Sequence, residues 1–293
     1  MQKGKLKDFV HLHGIVFIWG FTAVLGKLIT IEAIPLVWFR LFIASIVLGI
    51  FLFLKKTNLK ITLKAIYQFS IGGFIIGLHW IAFFYAIKIA NISITLATLA
   101  TGALFTSILE PLFLKRKIKL HEIILSLLTV IGIVIIFNVE PQYTTGIFIA
   151  LFAAFLSALF AVINANFIKE HDASVISFYE LLFAVILISL VLLFQNGFTT
   201  NFFKLTTEDW IYIGILGTVC TAYALTASTH LLKKISPFTM MLTINLEPVY
   251  GILLALLVFK ESEKMNLNFY YGGLLIFIAV ILNGYIKTKK KKI

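Results

Sequence analysis

The sequence predicts an all-α membrane protein in which ten transmembrane helices form two inverted five-helix repeats. Hydrophobic residues make up 60% of the 293-residue chain and charged residues 13%, against about 45–50% and about 25% in a soluble domain. The apolar residues fall into ten spans, most of which reach the roughly 20 residues that cross a hydrocarbon core. Backbone groups in lipid must be satisfied internally, so each span is expected to be a helix.

The spans follow one another with short connections. They cover residues 9–31, 35–54, 67–87, 93–114, 121–138, 145–168, 174–195, 210–231, 236–259 and 268–286. Three lysines precede the first span and no small-residue cleavage pattern follows it, so we expect it to be retained rather than removed as a signal peptide. The longest connection, 195–209, leaves no room for a soluble domain. A water-soluble enzyme and a nucleic-acid binder are therefore excluded, despite the net charge of +12.

The basic residues predict the orientation. Lysine and arginine mark the cytoplasmic side of a membrane protein. With the N-terminus inside, the cytoplasmic segments carry nineteen of the 25 Lys and Arg residues and the external segments carry four, while Lys27 and Arg40 lie within spans. This asymmetry predicts that both termini are cytoplasmic, and the scarcity of arginine favours a bacterial inner membrane.

The two repeats are predicted to cover residues 1–140 and 141–293. At an offset of 146 residues, 90–93 falls on 236–239 and Gly102 falls on Pro248. Further upstream the offset is smaller and places Arg40 opposite Glu180. Because five is an odd number, the second copy must insert upside down relative to the first, which is the architecture of alternating-access transporters.

Several short segments carry a family resemblance. They are Trp19-Gly20, Trp38-Phe39-Arg40, residues 82–87, residues 246–250 and residues 259–262. Through them the chain resembles the drug/metabolite transporter superfamily, specifically its EamA-type ten-helix permeases. The resemblance implies a secondary transporter with a central cavity between the halves and with spans five and ten at the periphery. The first half departs from the family pattern, because Gly102 stands where proline is usual.

Glu247 is the predicted coupling residue. It lies near the middle of span nine, where an ionisable group costs about 2.5–3.5 kcal/mol on insertion scales. Pro248 follows it and cannot donate a backbone hydrogen bond, so it is predicted to break the helix and leave a carbonyl near Thr243 and Ile244 free. A carboxylate beside a loosened backbone is a candidate proton or cation site. The alternative is a glutamate that only joins helices by hydrogen bonds.

Polar and aromatic positions on several spans are predicted to contact the solute. The substrate-binding candidates are Trp19, His79, Trp80, Asn164, Tyr223, Thr226 and Asn245. An aromatic ring beside an imidazole can line a cavity and stack on a cation, although packing alone also accounts for His79. We expect no catalytic residue, metal site or cofactor, and the single cysteine, Cys220, allows no disulfide within the chain.

The remaining charged residues within spans have two interpretations. Arg40 could bind an anionic group of a substrate bidentately, but pairing with Glu32 or with helix-end carbonyls is the favoured alternative for both Lys27 and Arg40. Glu110 and Glu180 are predicted to have structural roles near the cytoplasmic face.

The sequence thus favours an inner-membrane secondary transporter, an exporter of small metabolites such as amino acids. The expected partners are a small-molecule solute and membrane lipid, without nucleic acid, and the protein is expected to be a monomer or a weak homodimer. A non-transporting membrane partner subunit and an intramembrane lipid-modifying enzyme remain as alternatives.

Overall fold

Helices account for the secondary structure of the chain. The computed structural model describes residues 6–115, 117, 120–139 and 141–289, and no strand occurs in those ranges. The α-helices are α1 (Leu6–Leu28), α2 (Ala33–Leu54), α3 (Leu63–Ile89), α4 (Ile92–Leu99), α5 (Gly102–Leu114), α6 (Leu120–Val139), α7 (Thr144–Phe167), α8 (Ala173–Phe194), α9 (Thr207–Gly217), α10 (Ala224–Leu231), α11 (Pro237–Ile244), α12 (Glu247–Phe259) and α13 (Leu267–Lys289). A π-helical segment, Thr218–Tyr223, joins α9 to α10. The basic termini at 1–5 and 290–293, which the orientation prediction uses, lie outside the described residues.

Among the residues that the structure describes, eight helical segments are long and apolar enough to cross a membrane, which confirms a multi-pass, helical protein. Three of them combine two of the helices above: Ile92–Leu114, Thr207–Leu231 and Pro237–Glu263. The fifth and tenth predicted spans contain shorter apolar stretches, at Ile123–Ile136 and Leu267–Ala279. The total of ten transmembrane helices therefore stays a prediction.

The fourth and ninth predicted spans are both interrupted near their middle. Each consists of an eight-residue helix followed by a thirteen-residue helix. Each first helix is capped by a polar side chain, since Asn91 accepts the Ile94 N–H at 2.8 Å and Ser236 accepts the Thr239 N–H at 3.3 Å. Counted from these helix starts, Gly102 corresponds to Glu247 and not to Pro248, one residue away from the alignment predicted from the sequence.

The most extensive packing joins helices from the two predicted halves. In this way α3 contacts α7 and α8, α1 contacts α12, α2 contacts α8, and α6 contacts α13. Glycines allow the closest approaches: a Cβ at Gly20 would lie 3.1 Å from the Gly251 nitrogen, and one at Gly73 would clash with the Glu180 carbonyl. The central cavity is therefore enclosed by residues of both halves.

Ion pairs tie both ends of α1 to the second half of the chain. At its first turn, Asp8 pairs with Lys234 at 2.9 Å. At its last turn, Lys27 pairs at 2.7 Å with Glu263, which is fully buried and also accepts the backbone N–H groups of Ile92 and Ser93. The preferred pairing of Lys27 with Glu32 or helix-end carbonyls is wrong, because Glu263 reaches it from the loop after α12.

Candidate functional site

A cavity of about 80 Å³ lies at the centre of the helix bundle. It is lined from the first half by Trp19, Thr22, Arg40, Ile76, His79, Trp80, Phe83 and Leu99, and from the second half by Ser157, Phe160, Ala161, Leu225, Ser228, Thr229, Leu232, Met240, Met241, Ile244 and Glu247. Pockets that hold drug-sized ligands usually measure about 300–1,000 Å³. The cavity is thus smaller than a typical ligand pocket, and it combines apolar walls with a few hydroxyl groups and the side chains of Arg40 and Glu247.

Arg40 is the cationic group of this cavity and is fully buried. Its Nε donates to Thr221 Oγ1 at 2.5 Å and its Nη2 donates to the Cys220 carbonyl at 3.5 Å. The guanidinium lies over the Trp80 ring, 4.2 Å from the centroid, which stabilises the charge by a cation–π interaction. The remaining nitrogen, Nη1, is buried and has no hydrogen-bond partner among the described residues. The N–H groups of Nη1 are therefore unsatisfied within the described part of the chain.

The π-helical segment forms the surface that holds Arg40. The Cys220 carbonyl accepts from Arg40 and also from Trp19 Nε1 at 3.3 Å, while the Thr221 hydroxyl donates to the Leu216 carbonyl at 2.6 Å. In an ordinary α-helix a carbonyl is used by the N–H four residues later, and π-bulges that alter this pattern often occur at functional sites. The bulge thus joins α1, α2 and the α9–α10 segment at the cavity wall.

Glu247 is the anionic group of the cavity. It begins α12, directly after the interruption in the ninth span, and its side chain is 6% exposed. Within the part of the chain that the structure describes, its carboxylate makes no hydrogen bond or ion pair, and the charge that acts on it is that of Arg40. A buried carboxylate without hydrogen bonds is costly, so this side chain is suited to bind a proton or a cationic group of a solute.

The helix break next to Glu247 differs in detail from the prediction. The chain is interrupted between Ile244 and Glu247, so Pro248 lies in the first turn of α12, where its missing N–H has no intrahelical partner to lose. The Thr243 carbonyl accepts the Leu246 N–H at 3.0 Å. The expected free carbonyl is therefore not that of Thr243, whereas no hydrogen bond to the Ile244 carbonyl occurs among the described residues. At the break, the Asn245 side-chain amide, two positions before Glu247, is buried without a hydrogen-bond partner among those residues.

His79 and Trp80 lie side by side on α3 and both line the cavity. The His79 Nδ1 is 2.8 Å from the Ala153 carbonyl, and its ring stacks on Phe83. The imidazole is thus held by α7 and by its own helix. These contacts fit the interpretation that His79 packs between helices, although the ring also forms part of the cavity wall.

Four of the predicted site residues line the cavity: Trp19, His79, Trp80 and Glu247. The others lie elsewhere. Tyr223 and Thr226 line a separate groove of about 390 Å³, in which the Tyr223 hydroxyl lies 2.9 Å from His11 Nε2. Asn245 and Pro248 line an apolar pocket of about 320 Å³ between α12 and α13.

Asn164 is not a cavity residue either, because it is buried against Glu180, to which its Nδ2 donates at 2.9 Å. Glu180 is completely buried, which differs from the interfacial position predicted for it.

The position of Arg40 differs from the one that the sequence favours. The favoured expectation, pairing with Glu32 or with helix-end carbonyls, is wrong, since its partners lie in the π-helical segment about 180 positions later. A usable signal was present in the sequence. Arg40 is the only arginine inside a predicted span. It lies about two turns from the start of its helix, so its side chain is too deep in the span to be placed there by the polar interface alone.

Comparison with known proteins assigns the family. The model of the EamA-like transporter family matches residues 11–138 and 144–285, nearly the whole chain. The chain belongs to the EamA-like transporter family. The two matched segments coincide closely with the two predicted halves.

Individual relatives of this EamA-family protein agree with the assignment. An "Uncharacterized transporter" of Clostridium kluyveri is 27% identical over 219 residues, which cover 70% of this chain and 67% of the relative. An "Uncharacterized transporter" of Archaeoglobus fulgidus is 24% identical over 229 residues, 78% of this chain and 76% of the relative. A solved structure titled "Crystal structure of protein" shares the fold, with a TM-score of 0.70 at 15% identity, covering 94% of this chain and 96% of that one. The protein is a membrane transporter.

Proposed function

We propose that this EamA-family transporter exports small zwitterionic metabolites such as amino acids across a bacterial inner membrane. The observation that carries the proposal is the pair of opposite charges, Arg40 and Glu247, in one buried cavity. An amino acid presents a carboxylate and an ammonium group a short distance apart. The free Nη1 of Arg40 suits the carboxylate, and the unpaired carboxylate of Glu247 suits the ammonium group.

The rest of the cavity wall suits a small amphipathic solute. Trp19, Trp80 and Phe83 supply apolar and aromatic surface, while Ser157 and Ser228 supply hydroxyl groups. Because the cavity measures only about 80 Å³, a solute must be admitted by movement of the surrounding helices. This supports alternating access over an open pore.

Glu247 also supplies a means of coupling. A carboxylate that binds either a proton or the solute ammonium group, but not both, exchanges one for the other across the membrane. Inward movement of a proton on Glu247 would then drive outward movement of the solute. The alternating states require two matching halves, and the identical lengths of the interrupted helices, eight and thirteen residues in each, support an inverted repeat of 1–140 and 141–293.

The orientation and the assembly belong to the same proposal. Nineteen of the 25 basic residues fall on one side of the membrane in the ten-span arrangement, which supports cytoplasmic termini. The proposal also includes a functional monomer or a weak homodimer.

The solute class is tested by counterflow in proteoliposomes that contain the purified protein. Labelled amino acids should exchange, whereas for each one the matching amine without the carboxylate and the matching acid without the ammonium group should compete poorly. Liposomes with an Arg40→Met variant of equal expression provide the control. If the amine competes as well as the amino acid, the zwitterion proposal is wrong.

A further inference from the structure

Glu180 and Asn164 form a second buried polar pair, outside the central cavity. Both residues are 0% exposed, and Asn164 Nδ2 donates to Glu180 Oε1 at 2.9 Å. The other carboxyl oxygen of Glu180, Oε2, and the amide oxygen of Asn164, Oδ1, are buried and have no hydrogen-bond partner among the described residues. A buried polar atom without a partner is costly, and here two of them belong to side chains that already touch.

Glycines of α3 close the space around this carboxyl group. A Cβ at Gly72 would clash with Glu180 Oε1, and a Cβ at Gly73 would clash with the Glu180 backbone carbonyl. The two glycines therefore let α3 and α8 approach closely and exclude solvent from the carboxyl group. An ionised carboxylate in such surroundings needs a compensating positive charge.

No such charge is supplied by the described residues. The helices packed most extensively against α8 are α2, α3 and α10, and their charged and histidine side chains are Arg40, Lys64, His79, Lys88 and His230. Each is engaged elsewhere or exposed: Arg40 with Thr221, Lys64 with Glu170, His79 with the Ala153 carbonyl, Lys88 with the Ile29 carbonyl, and His230 at the surface.

The tyrosines nearby are also accounted for. Tyr67 and Tyr85 of α3 are exposed, and Tyr179 of α8 donates to the Leu59 carbonyl. Helix α7, which carries Asn164, contains no titratable side chain. Within the described part of the chain, the only polar contact of the Glu180 carboxyl is therefore with a neutral amide.

We infer that Glu180 and Asn164 bind one proton between them and form a neutral acid–amide pair. The protonated Oε2 of Glu180 donates to Asn164 Oδ1 while Asn164 Nδ2 donates to Oε1, so two hydrogen bonds close a ring. One proton thus removes the buried charge and gives a partner to both unpaired atoms. A metal cation fits less well, because oxygen-ligated ions such as Ca²⁺ need about six ligands, and Ser177 adds only one more unpaired oxygen.

This pair gives the protein a proton-binding site that is separate from Glu247. Proton loss from Glu180 would leave an uncompensated charge between α3, α7 and α8, so release of the proton requires these helices to separate and admit water. The inference extends beyond the proposed transport cycle, and its test uses no solute. Failure of the zwitterion proposal and failure of this inference are therefore distinguishable.

The first test is infrared spectroscopy of the purified protein at neutral pH in H₂O and in D₂O. The wild type should show a carboxylic-acid C=O band that shifts in D₂O and is lost in Glu180→Gln. Glu263→Gln is the matched control, because Glu263 is equally buried but has a cationic partner, Lys27, at 2.7 Å. This variant should leave that band unchanged. An acid band that is the same in the wild type and in Glu180→Gln overturns the inference.

The second test is thermal unfolding as a function of pH. Glutamine keeps both hydrogen bonds of the ring without needing a proton, so Glu180→Gln should melt at or above the wild-type temperature at neutral pH. As pH rises, the wild type should lose stability, because its native state holds a proton that the unfolded chain releases, and this loss should be smaller in the variant. A Glu180→Gln protein that fails to fold overturns the inference. Stabilisation of the wild type alone by Na⁺, at constant ionic strength, also overturns it in favour of a sodium site.

Discussion

Replacement of Arg40 by lysine separates the role of the guanidinium fork from that of its charge. In the wild type, Nε and Nη2 are held by Thr221 and the Cys220 carbonyl, which leaves Nη1 for the solute. Lysine retains a positive charge but has a single ammonium group, which cannot bind the π-helical segment and orient a free donor in the plane of a carboxylate at the same time.

The size of the effect follows from the one solute hydrogen bond that is lost. A hydrogen bond to a charged group contributes about 1.5–3 kcal/mol, which corresponds to roughly 10- to 150-fold weaker binding at about 1.4 kcal/mol for each tenfold change. An amino acid should therefore bind Arg40→Lys more weakly by that factor. Its decarboxylated amine has no group for Arg40 and should bind the variant and the wild type alike.

The assay is the apparent affinity of both compounds in proteoliposome counterflow, with thermal unfolding used to verify that the variant is folded. Lys27→Met is the control, because it removes a cation that lies outside the cavity, in the ion pair with Glu263. It should lower stability and leave the ratio of the two affinities unchanged. Unaltered amino-acid affinity in Arg40→Lys, or an equal loss for the amine, would refute the assignment of the carboxylate to Arg40.

Three further predictions concern coupling, the cavity wall and topology. Glu247→Gln should still exchange labelled for unlabelled solute but should lose pH-driven accumulation; normal driven transport would remove Glu247 from the coupling step. Trp80→Ala removes the ring under the Arg40 guanidinium, a cation–π contact of about 0.5–2 kcal/mol. It should reduce transport more than Phe277→Ala on α13 at equal expression. Equal losses would mean that Trp80 only packs. Cysteines placed at Lys60 and Asn201 should react with impermeant reagents from opposite sides of the membrane, and labelling from the same side would contradict the ten-span topology.

The all-helical membrane class could be predicted because the length of the apolar segments alone is sufficient to indicate membrane-spanning helices. Span positions agreed with the helices to within a few residues, as for 35–54 against Ala33–Leu54. The interruption near Glu247 was also predictable in outline, because Pro248 cannot continue a helix from the preceding turn. The family followed from short motifs and was confirmed by the match over almost the whole chain.

The side-chain partners could not be predicted, and the reason is physical. In a helix that is apolar on most sides, periodicity does not show which face meets the cavity, so Asn164 and Tyr223 could not be placed. The π-helical segment, TVCTAY, contains no glycine or proline that would distinguish it from an ordinary α-helix. Its backbone is fixed by tertiary contacts, since Arg40 and Trp19 bind the Cys220 carbonyl from other helices.

The extensive packing between the two halves has a consequence for biosynthesis. When the first five spans leave the ribosome, the partners of several of their charged side chains have not yet been made. The partner of Arg40, Thr221, follows 181 positions later, and the partner of Lys27, Glu263, follows 236 positions later. The Phe238 N–H that donates to Glu110 follows 128 positions later. The nascent first half therefore exposes unpaired charges to lipid or to the insertion machinery until translation is nearly complete. A chain truncated before Thr221 should be a substrate for membrane proteases, because the buried guanidinium of Arg40 then lacks its hydrogen-bond partners.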